Sequence, residues 1–382
     1  MKLSDIKKYM PVYLFHLGHQ PLLSRAEILS VINTQKISFS SERQAGNLLF
    51  VETSKPIDAA RFINQLGGTV KIMEHLPEVQ PKPSTVAKYL HESIPSGKIN
   101  FSLSGAPFAL LIKKELKNLD RSVRYIEPKN TATILHNDLV NTNSDITIFE
   151  NKVFITKGIQ DLEGFSERDY GRPQADSKSG MLPPKLARMM LNLTGASHDD
   201  IVLDPFCGSG TVLMEAADLG FLNIAGTDLS LKAIQDSEKN LTWLRETKKI
   251  KPVTKLKVAD AQQLSREFSA QSIDAIVAEP YMGKPQTGRE SLRELQNSAR
   301  ELRQLFEKAF AEFAIILKSG ASVVFIIPEF TYQKETITID CLDTIKKLGF
   351  NIVPLLPKHE SILYQRPGQH VARRIWKFQL EK

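Results

Sequence analysis

Short hydrophobic runs alternate with longer amphipathic segments throughout the second half of the chain. Seven runs of strand length are predicted as strands at Ile201–Phe206, Asn223–Asp228, Lys255–Asp260, Ile273–Glu279, Ala321–Pro328, Asn351–Pro357 and Arg374–Leu380. Between most of them, hydrophobic residues recur with the spacing of an amphipathic helix, which predicts helices at Gly210–Leu219, Ser230–Arg245, Ser291–Leu317 and Glu335–Leu348. Buried strands joined by helix-length crossovers predict an α/β fold in which helices cover both faces of a parallel sheet.

The connection before the last predicted strand breaks this alternation. It consists of Lys358–His370, which is too short for a helical crossover. We therefore expect a seven-stranded, mostly parallel sheet whose last strand is antiparallel.

The residues before position 160 show strands and helices in mixed order. The predicted elements are a strand at Val12–Leu17, helices at Ser24–Val31 and Ala59–Leu66, a basic helix at Phe108–Leu119, a strand at Ser122–Ile126 and a hairpin at Asp145–Thr156 around Glu150-Asn151. Ser24 and Glu27 have capping-box spacing, which predicts that Ser24 caps its helix. Gly67-Gly68 is expected to end the second helix.

Two polar stretches mark the predicted domain boundaries. Pro77–Ser84 contains proline, and Gly158–Gly180 is rich in Gly, Ser and charged residues. The predicted division is a ferredoxin-like α+β domain at 1–80, a second small α+β domain at 81–160, a linker at 161–180 and the α/β domain at 181–382.

The composition changes this picture little. Of the 382 residues 42% are hydrophobic and 24% charged, and the net charge of +7 permits a polyanionic partner without requiring one. Cys207 and Cys341 are too few for a disulfide framework or a thiolate zinc site, which favours a reducing compartment. No apolar run is long enough to cross a membrane, so we expect a cytoplasmic protein. We also expect no metal centre.

A glycine turn follows the first strand of the α/β half. The run Asp204-Pro205-Phe206-Cys207-Gly208-Ser209-Gly210 is not the dinucleotide fingerprint, because Leu213 takes the place of the third glycine. No Lys follows to hold a triphosphate. The run resembles the S-adenosylmethionine (SAM) loop of Rossmann-like methyltransferases that methylate exocyclic amines of nucleobases. An ordinary strand–turn–helix connection is the alternative. The candidate cofactor-binding residues here are Asp204, Phe206, Gly208, Gly210 and Thr211.

Acids also stand at the next two predicted strand ends. Asp228 is placed to accept the ribose hydroxyls of the cofactor, and Asp260, followed by Ala261, to accept the adenine amino group. Either acid could instead cap a helix. Their agreement with successive strand ends favours the ligand interpretation.

The end of the fourth strand carries the candidate catalytic residues Glu279, Pro280 and Tyr281. Amino-methyltransferases of this type place an acid or amide, two prolines and an aromatic residue here. The side chain and a backbone carbonyl orient the target NH2, and the ring stacks on the extruded base. Here Glu replaces the usual Asp or Asn, Tyr281 the second proline, and Met282 the aromatic residue. A capped strand end without chemistry is the alternative.

The chain as a whole resembles the tRNA guanosine-10 N2-methyltransferase family, whose members join a THUMP-containing RNA-binding region to a class I methyltransferase domain. The matching segments are Tyr13-Leu14-Phe15, Gly67-Gly68-Thr69, Ser122-Val123-Arg124, Arg172-Pro173, Gly180-Met181-Leu182-Pro183-Pro184-Lys185-Leu186-Ala187 and the glycine turn. The resemblance implies that residues 81–160 form a THUMP-like domain that grips tRNA by shape and phosphate contacts, while the enzyme domain receives a flipped guanine. SAM is the implied cofactor. A small activating subunit assists some family members.

Basic residues mark the expected RNA contacts. They are Lys113, Lys114, Lys117, Arg121, Arg124, Arg172 and Arg366. A solvated basic face is the alternative for the first five.

Three other functions are compatible with the same residues. The enzyme could methylate another tRNA or ribosomal RNA guanosine. The altered fourth-strand motif could mark a catalytically weak RNA-binding protein that retains a SAM site. A DNA amino-methyltransferase would share the catalytic half but would leave the N-terminal half unexplained.

Overall fold

The computed structural model describes residues 10–174, 181–333, 335–366 and 368–381. The described chain divides into two compact units. The first comprises the described residues up to Arg25 together with Gln35–Asp161, and the second comprises Ala26–Thr34 together with the described residues from Leu162 onward.

The first unit contains one sheet with both antiparallel and parallel strand pairs. Its strands are β1 (Val12–Leu17), β2 (Phe39–Ala45), β3 (Leu48–Thr53), β4 (Thr69–His75), β5 (Ile99–Ser104), β6 (Val123–Tyr125), β7 (Asp145–Phe149) and β8 (Lys152–Ile159). The order across the sheet is β2-β3-β1-β4-β8-β7-β5-β6. The antiparallel pairing of β4 with β8 joins the segments predicted as separate domains at 1–80 and 81–160 into this one sheet.

Helices α1 to α5 belong to the same half of the sequence. They are α1 (Pro21–Thr34), α2 (Ala59–Gln65), α3 (Pro83–Ser93), α4 (Ala109–Asn118) and α5 (Thr131–His136). The predicted strand at Val12–Leu17 and the predicted basic helix are confirmed. The predicted hairpin is confirmed as well, and Glu150 and Asn151 form its turn with φ angles of 45° and 59°. Two successive positive φ angles suit the right-handed twist of the strands that they connect.

The predicted start of the first helix is wrong. Helix α1 begins at Pro21, so Ser24 lies inside it and does not cap it. The Ser24 hydroxyl instead lies within hydrogen-bonding distance of two carbonyl oxygens, those of Gln20 and Gly68, at 2.9 and 2.7 Å. The helix therefore starts one turn earlier than the capping-box spacing indicated.

The second unit carries the α/β domain. Its helices are α6 (Leu162–Ser166), α7 (Pro184–Thr194), α8 (Thr211–Leu219), α9 (Leu231–Lys248), α10 (Leu292–Ile316) and α11 (Leu342–Lys347). Its strands are β9 (Ile201–Asp204), β10 (Asn223–Asp228), β11 (Val253–Val258), β12 (Ile273–Ala278), β13 (Leu317–Tyr332), β14 (Glu335–Ile337), β15 (Phe350–Ile352), β16 (Ser361–Tyr364) and β17 (Val371–Leu380).

The sheet of this unit confirms the predicted topology. Its order is β11-β10-β9-β12-β13-β17-β15, with β14 paired to β13 and β16 paired to β17. Strands β9 to β13 pair in parallel, and β17 runs antiparallel to β13. Because the carboxyl ends of parallel strands meet at one edge, the ends of β9, β10, β11 and β12 together form the edge at which such folds bind ligands.

One predicted helix of this unit is partly wrong. Residues Glu335–Ile337 form strand β14 and pair with Phe330–Tyr332, and helix α11 covers only Leu342–Lys347. Thr336 and Ile337 are β-branched and pack well on a pleated surface. Strand β16 was also missed, since it lies inside the predicted loop Lys358–His370.

Aromatic side chains fill the core between α10 and the sheet. Phe310 packs edge to face with Phe325, Phe350 and Phe378, with ring centroids 5.2, 5.1 and 5.1 Å away. Each such pair contributes about 0.5–1.5 kcal/mol beyond its burial. This packing holds β13, β15 and β17 against α10, and β13 in turn pairs with β12.

Candidate active site

A cavity of about 490 Å³ opens at the carboxyl ends of β9, β10, β11 and β12. Its volume suits a cofactor-sized ligand. The predicted site residues that line it are Asp204, Phe206, Gly208, Thr211, Asp228, Asp260, Ala261, Glu279, Pro280 and Tyr281. Gly210 is the one predicted cofactor residue that does not line it.

The glycine turn adopts a backbone shape that side chains disfavour. Gly208 and Gly210 have φ angles of +52° and +86°. A Cβ on Gly210 would lie 2.8 Å from the Ser237 hydroxyl, whereas a Cβ on Gly208 would meet nothing within 4 Å. Gly210 therefore allows α9 to pack closely, and Gly208 leaves space open beside the cavity.

Helix α9 holds the turn through two side chains. The Ser237 hydroxyl donates to the Gly208 carbonyl oxygen at 2.8 Å. The Asn240 amide donates to the Ser209 carbonyl oxygen at 2.8 Å. Sequence reasoning missed both residues, because their role depends on packing between elements and not on a motif.

Asp204 is a buried carboxylate at the end of β9. It is 2% exposed, and its Oδ1 accepts the Phe206 amide at 3.0 Å. Burial raises the pKa of Asp204 well above its ordinary value; the Phe206 hydrogen bond opposes this, and the nearby carboxylates of Asp228 and Glu279 add to it. Such a site favours a ligand that brings positive charge.

Asp228 and Asp260 do not cap helices. Ser230 caps α9 by accepting the Ala233 amide, and Asp228 instead accepts the amides of Gly208 and Ser230 at 3.0 and 2.8 Å. Asp260 accepts the Gln262 amide at 2.9 Å. Since each carboxylate can accept about four hydrogen bonds, both keep acceptor capacity toward the cavity that they line.

Glu279 forms an ion pair that the sequence did not predict. Its Oε1 lies 2.5 Å from Nε of Arg373 on β17, and both side chains are largely buried, with 13% and 9% exposed. Burial raises the pKa of Glu279, and the charge and hydrogen bond of Arg373 oppose that rise. The sequence offered no local signal for this pair, because Arg373 lies just outside the predicted strand Arg374–Leu380 and β13 separates β17 from β12 in the sheet.

The rest of the fourth-strand motif forms the edge of the cavity. Pro280 is buried, and Tyr281 is 55% exposed. Met282 is half-buried, and Gly283 turns the chain away with a φ of +90°. An exposed phenol ring at the mouth can stack on a planar ligand.

Arg172 is buried behind the cavity wall and does not face solvent. It is 3% exposed, and its guanidinium donates to the Thr211 hydroxyl at 2.7 Å and to the Met181 sulfur at 2.6 Å. Its Nε is buried with no hydrogen-bond partner in the described part of the chain. Arg172 is therefore not accessible to RNA in this structure, contrary to the prediction.

A buried ion network anchors the linker to the α/β domain. Arg168 and Arg188 both bind Glu215, at 2.5 and 2.6 Å, and both also contact Asp218. The charges balance within the group, which is the condition for burying them. Arg168 is thus a structural residue of the linker.

The remaining predicted RNA contacts have different environments. Lys114, Lys117, Arg124 and Arg366 are exposed, and Lys113 is half-buried. Arg121 donates hydrogen bonds to the carbonyl oxygens of Ile94 and Gly97, at 2.6 and 3.2 Å, and so stabilises a local turn.

The cavity fits SAM in its donor and acceptor chemistry. Four acidic side chains and the open space beside Gly208 suit a ligand with ribose hydroxyls, an adenine amine and positive charge. Within the described residues, no group of His, Cys, Asp and Glu side chains is placed to hold a metal ion. No described helix has the length and hydrophobicity required to cross a bilayer.

Comparisons with known proteins support a methyltransferase domain in this half of the chain. Residues 172–337 match the family profile described as UPF0020: RMKL-like, methyltransferase domain. The crystal structure of TrmN from Thermus thermophilus superposes with a TM-score of 0.51 at 15% identity, covering 97% of this chain and 99% of that one. That likeness shows a shared fold.

Two curated relatives are similar in sequence. A tRNA (guanine(10)-N2)-dimethyltransferase from Methanocaldococcus jannaschii is 33% identical over 145 residues, which are 36% of this chain and 39% of that protein. The protein of the same name from Pyrococcus abyssi is 26% identical over 267 residues, which are 68% of either chain. The predicted class I methyltransferase fold is therefore confirmed, and SAM is the methyl donor of this class.

Proposed function

We propose that this chain transfers a methyl group from SAM to the exocyclic N2 of a tRNA guanosine. The premise is the match of residues 172–337 to the methyltransferase domain of the UPF0020 family. The placement of Glu279 carries the proposal. Its carboxylate lies in the same cavity as the glycine turn, at the end of the neighbouring strand β12.

The residues of this cavity provide what the reaction needs. A guanine amine is a weak nucleophile because its lone pair is delocalised into the ring. Glu279 accepts a hydrogen bond from this amine, which turns the lone pair toward the methyl group that SAM supplies. The negative carboxylate also stabilises the positive charge that develops on nitrogen, and a charged hydrogen bond of this kind contributes about 1.5–3 kcal/mol. Exposed Tyr281 stacks on the flipped base.

The names of the two relatives support tRNA guanosine 10 as the target. The aligned segment spans 39% of the first relative. In the same proposal, residues 81–160 act as a THUMP-like domain that binds RNA through exposed Lys114, Lys117 and Arg124. A tRNA substrate and the low cysteine content support a cytoplasmic location. Some members of the family that the chain resembles work with a small activating subunit, on which this sequence is silent.

A methyl-transfer assay tests this function. Purified protein is incubated with labelled SAM and unmodified tRNA transcripts, and nucleosides are identified by mass spectrometry after digestion. We expect N2-methylated guanosine from transcripts with guanosine at position 10, and none from matched transcripts with adenosine there. Glu279→Gln should retain SAM binding by calorimetry and lose turnover.

Each contrary result has a definite meaning. Absence of transfer to every tRNA tested would remove the proposed activity. Transfer to the adenosine-10 transcript would keep the chemistry and assign another guanosine. Normal turnover by Glu279→Gln would show that the end of β12 does not supply the acceptor.

A further inference from the structure

Arg373 fixes one half of the Glu279 carboxylate. Its Nε donates to Glu279 Oε1 at 2.5 Å, and its Nη1 donates to Gln369 Oε1 at 3.2 Å. The guanidinium is therefore held between a side chain of the cavity and a side chain of the β16–β17 connection. Arg373 itself is 7% exposed and does not line the cavity.

The other half of the carboxylate is open. Glu279 Oε2 has no hydrogen-bond partner among the described residues, and it belongs to a side chain that lines the cavity. One oxygen is thus engaged by the protein and the other is available to an incoming donor. A glutamate has three side-chain torsions, and an ion pair at its end removes most of that freedom.

We infer that Arg373 is a positioning residue for methyl transfer: it holds Oε1 of Glu279 so that Oε2 is presented to the target amine. The inference rests on the proposed function, and explains how glutamate can serve where related enzymes carry a shorter side chain. Misplacement of a reacting group by about 1 Å can cost about a hundredfold in rate, so the longer side chain needs an anchor.

Arg373 also favours the ionised form of Glu279. Burial raises the pKa of Glu279, and the charge and hydrogen bond of Arg373 on β17 oppose that rise. The ionised form is the stronger acceptor, and only it carries the negative charge that stabilises the positive charge developing on the amine nitrogen. Loss of the arginine charge should therefore raise the pKa of Glu279 and move the acid limb of the kcat–pH profile to higher pH.

The adjacent residue supplies a matched control. Arg374 points to the opposite face of β17 and binds Glu329, with Nη2 3.0 Å from Oε2. It is an arginine on the same strand, in an ion pair with a buried glutamate, outside the cavity. Replacing it tests what the loss of such a pair does to folding alone.

The experiment compares Arg373→Gln, Arg373→Lys and Arg374→Gln with the parent enzyme. Measured quantities are kcat and KM for tRNA from pH 6 to 9, the SAM dissociation constant by calorimetry, and Tm. For Arg373→Gln we expect kcat to fall about 10- to 100-fold at pH 7, partial recovery at pH 9, and SAM affinity within about twofold of the parent. Arg373→Lys retains the charge, so its acid limb should stay near that of the parent while kcat falls.

The outcomes separate this inference from the function on which it rests. An inactive parent enzyme removes the proposed function and the inference with it. An active parent together with an Arg373→Gln variant of normal kcat and pH profile overturns the inference alone. Equal losses in Arg373→Gln and Arg374→Gln, with unchanged pH profiles, would also overturn it by assigning a purely structural role.

Discussion

We expect the buried carboxylate of Asp204 to contribute to SAM binding and to lower the stability of the folded protein. Its carboxylate is 2% exposed, accepts one backbone amide and lies near two other carboxylates. Asp204→Asn keeps an acceptor for Phe206 and removes the buried charge. We expect Tm to rise by a few degrees, since about 1 kcal/mol corresponds to about 2–4 °C in a domain of this size. We expect SAM affinity to fall about tenfold or more, because a charged hydrogen bond is lost. Differential scanning fluorimetry and calorimetry measure the two effects.

The pH dependence of this difference follows from the raised pKa of Asp204. An acid whose pKa is raised by folding destabilises the folded state once the pH exceeds its unfolded value. The Tm gap between Asp204→Asn and the parent should therefore be largest near neutral pH and should close at acidic pH, where Asp204 is protonated in both states. Exposed Asp343→Asn is the control and should change neither quantity. A variant that binds SAM normally would contradict the assigned role.

Two glycines of the same turn allow the effect of packing on stability to be measured separately from the effect on SAM binding. Gly210→Ala meets Ser237 at 2.8 Å and also strains the backbone. Gly208→Ala meets nothing within 4 Å, so its cost is that of the left-handed backbone, about 1–2 kcal/mol. We expect the larger fall in Tm for Gly210→Ala. We expect Gly208→Ala to remain folded and to lose SAM affinity, because its methyl group would occupy open space at the edge of the cavity.

A third glycine controls for the backbone cost. Gly320 has a φ of +76° and open space around its Cβ position, in the same unit but away from the cavity. Gly320→Ala should lower Tm about as much as Gly208→Ala and leave the SAM dissociation constant unchanged. Equal SAM affinities in the two variants would show that Gly208 does not border the cofactor.

The elements that the sequence predicted well are those with local causes. Strand β10 has the predicted bounds Asn223–Asp228, and the β7–β8 hairpin turns at Glu150 and Asn151 as expected. In both, a hydrophobic pattern and turn residues agree over a few positions. The carboxylates at the ends of β9, β10 and β12 were predicted to share a site because parallel topology alone brings them together.

The elements that were missed depend on distant partners. Strand β14 exists because β13 offers it an edge, and Glu279 meets Arg373 across 94 residues of sequence. Arg172 was expected to face RNA, yet it reaches Thr211 and is buried. The sequence does not show whether a charged side chain is solvated or paired with another side chain. The polar partners within the site were therefore the feature that was hardest to predict.

At the scale of the whole molecule, the proposed RNA contacts and the chemistry lie in different units of the chain. Lys114 and Lys117 are exposed on α4 of the first unit, whereas the cavity is formed entirely by the second. Lys114→Glu combined with Lys117→Glu should raise KM for tRNA about tenfold and leave kcat and SAM affinity unchanged. The reason is that phosphate contacts contribute to binding before the chemical step and do not touch the reacting atoms.

Salt dependence distinguishes such contacts from a general effect of charge. Removing one lysine–phosphate interaction should lower the slope of log affinity against log salt concentration by about one, so the double variant should lower it by about two. Lys346→Glu combined with Lys347→Glu, on exposed positions of α11, makes the same change in net charge in the other unit. If the control raises KM as much as the α4 variant does, long-range attraction by a basic protein explains the effect. A KM change and a reduced salt slope confined to α4 would place the RNA-binding surface on that helix, because only a local interaction releases counterions there.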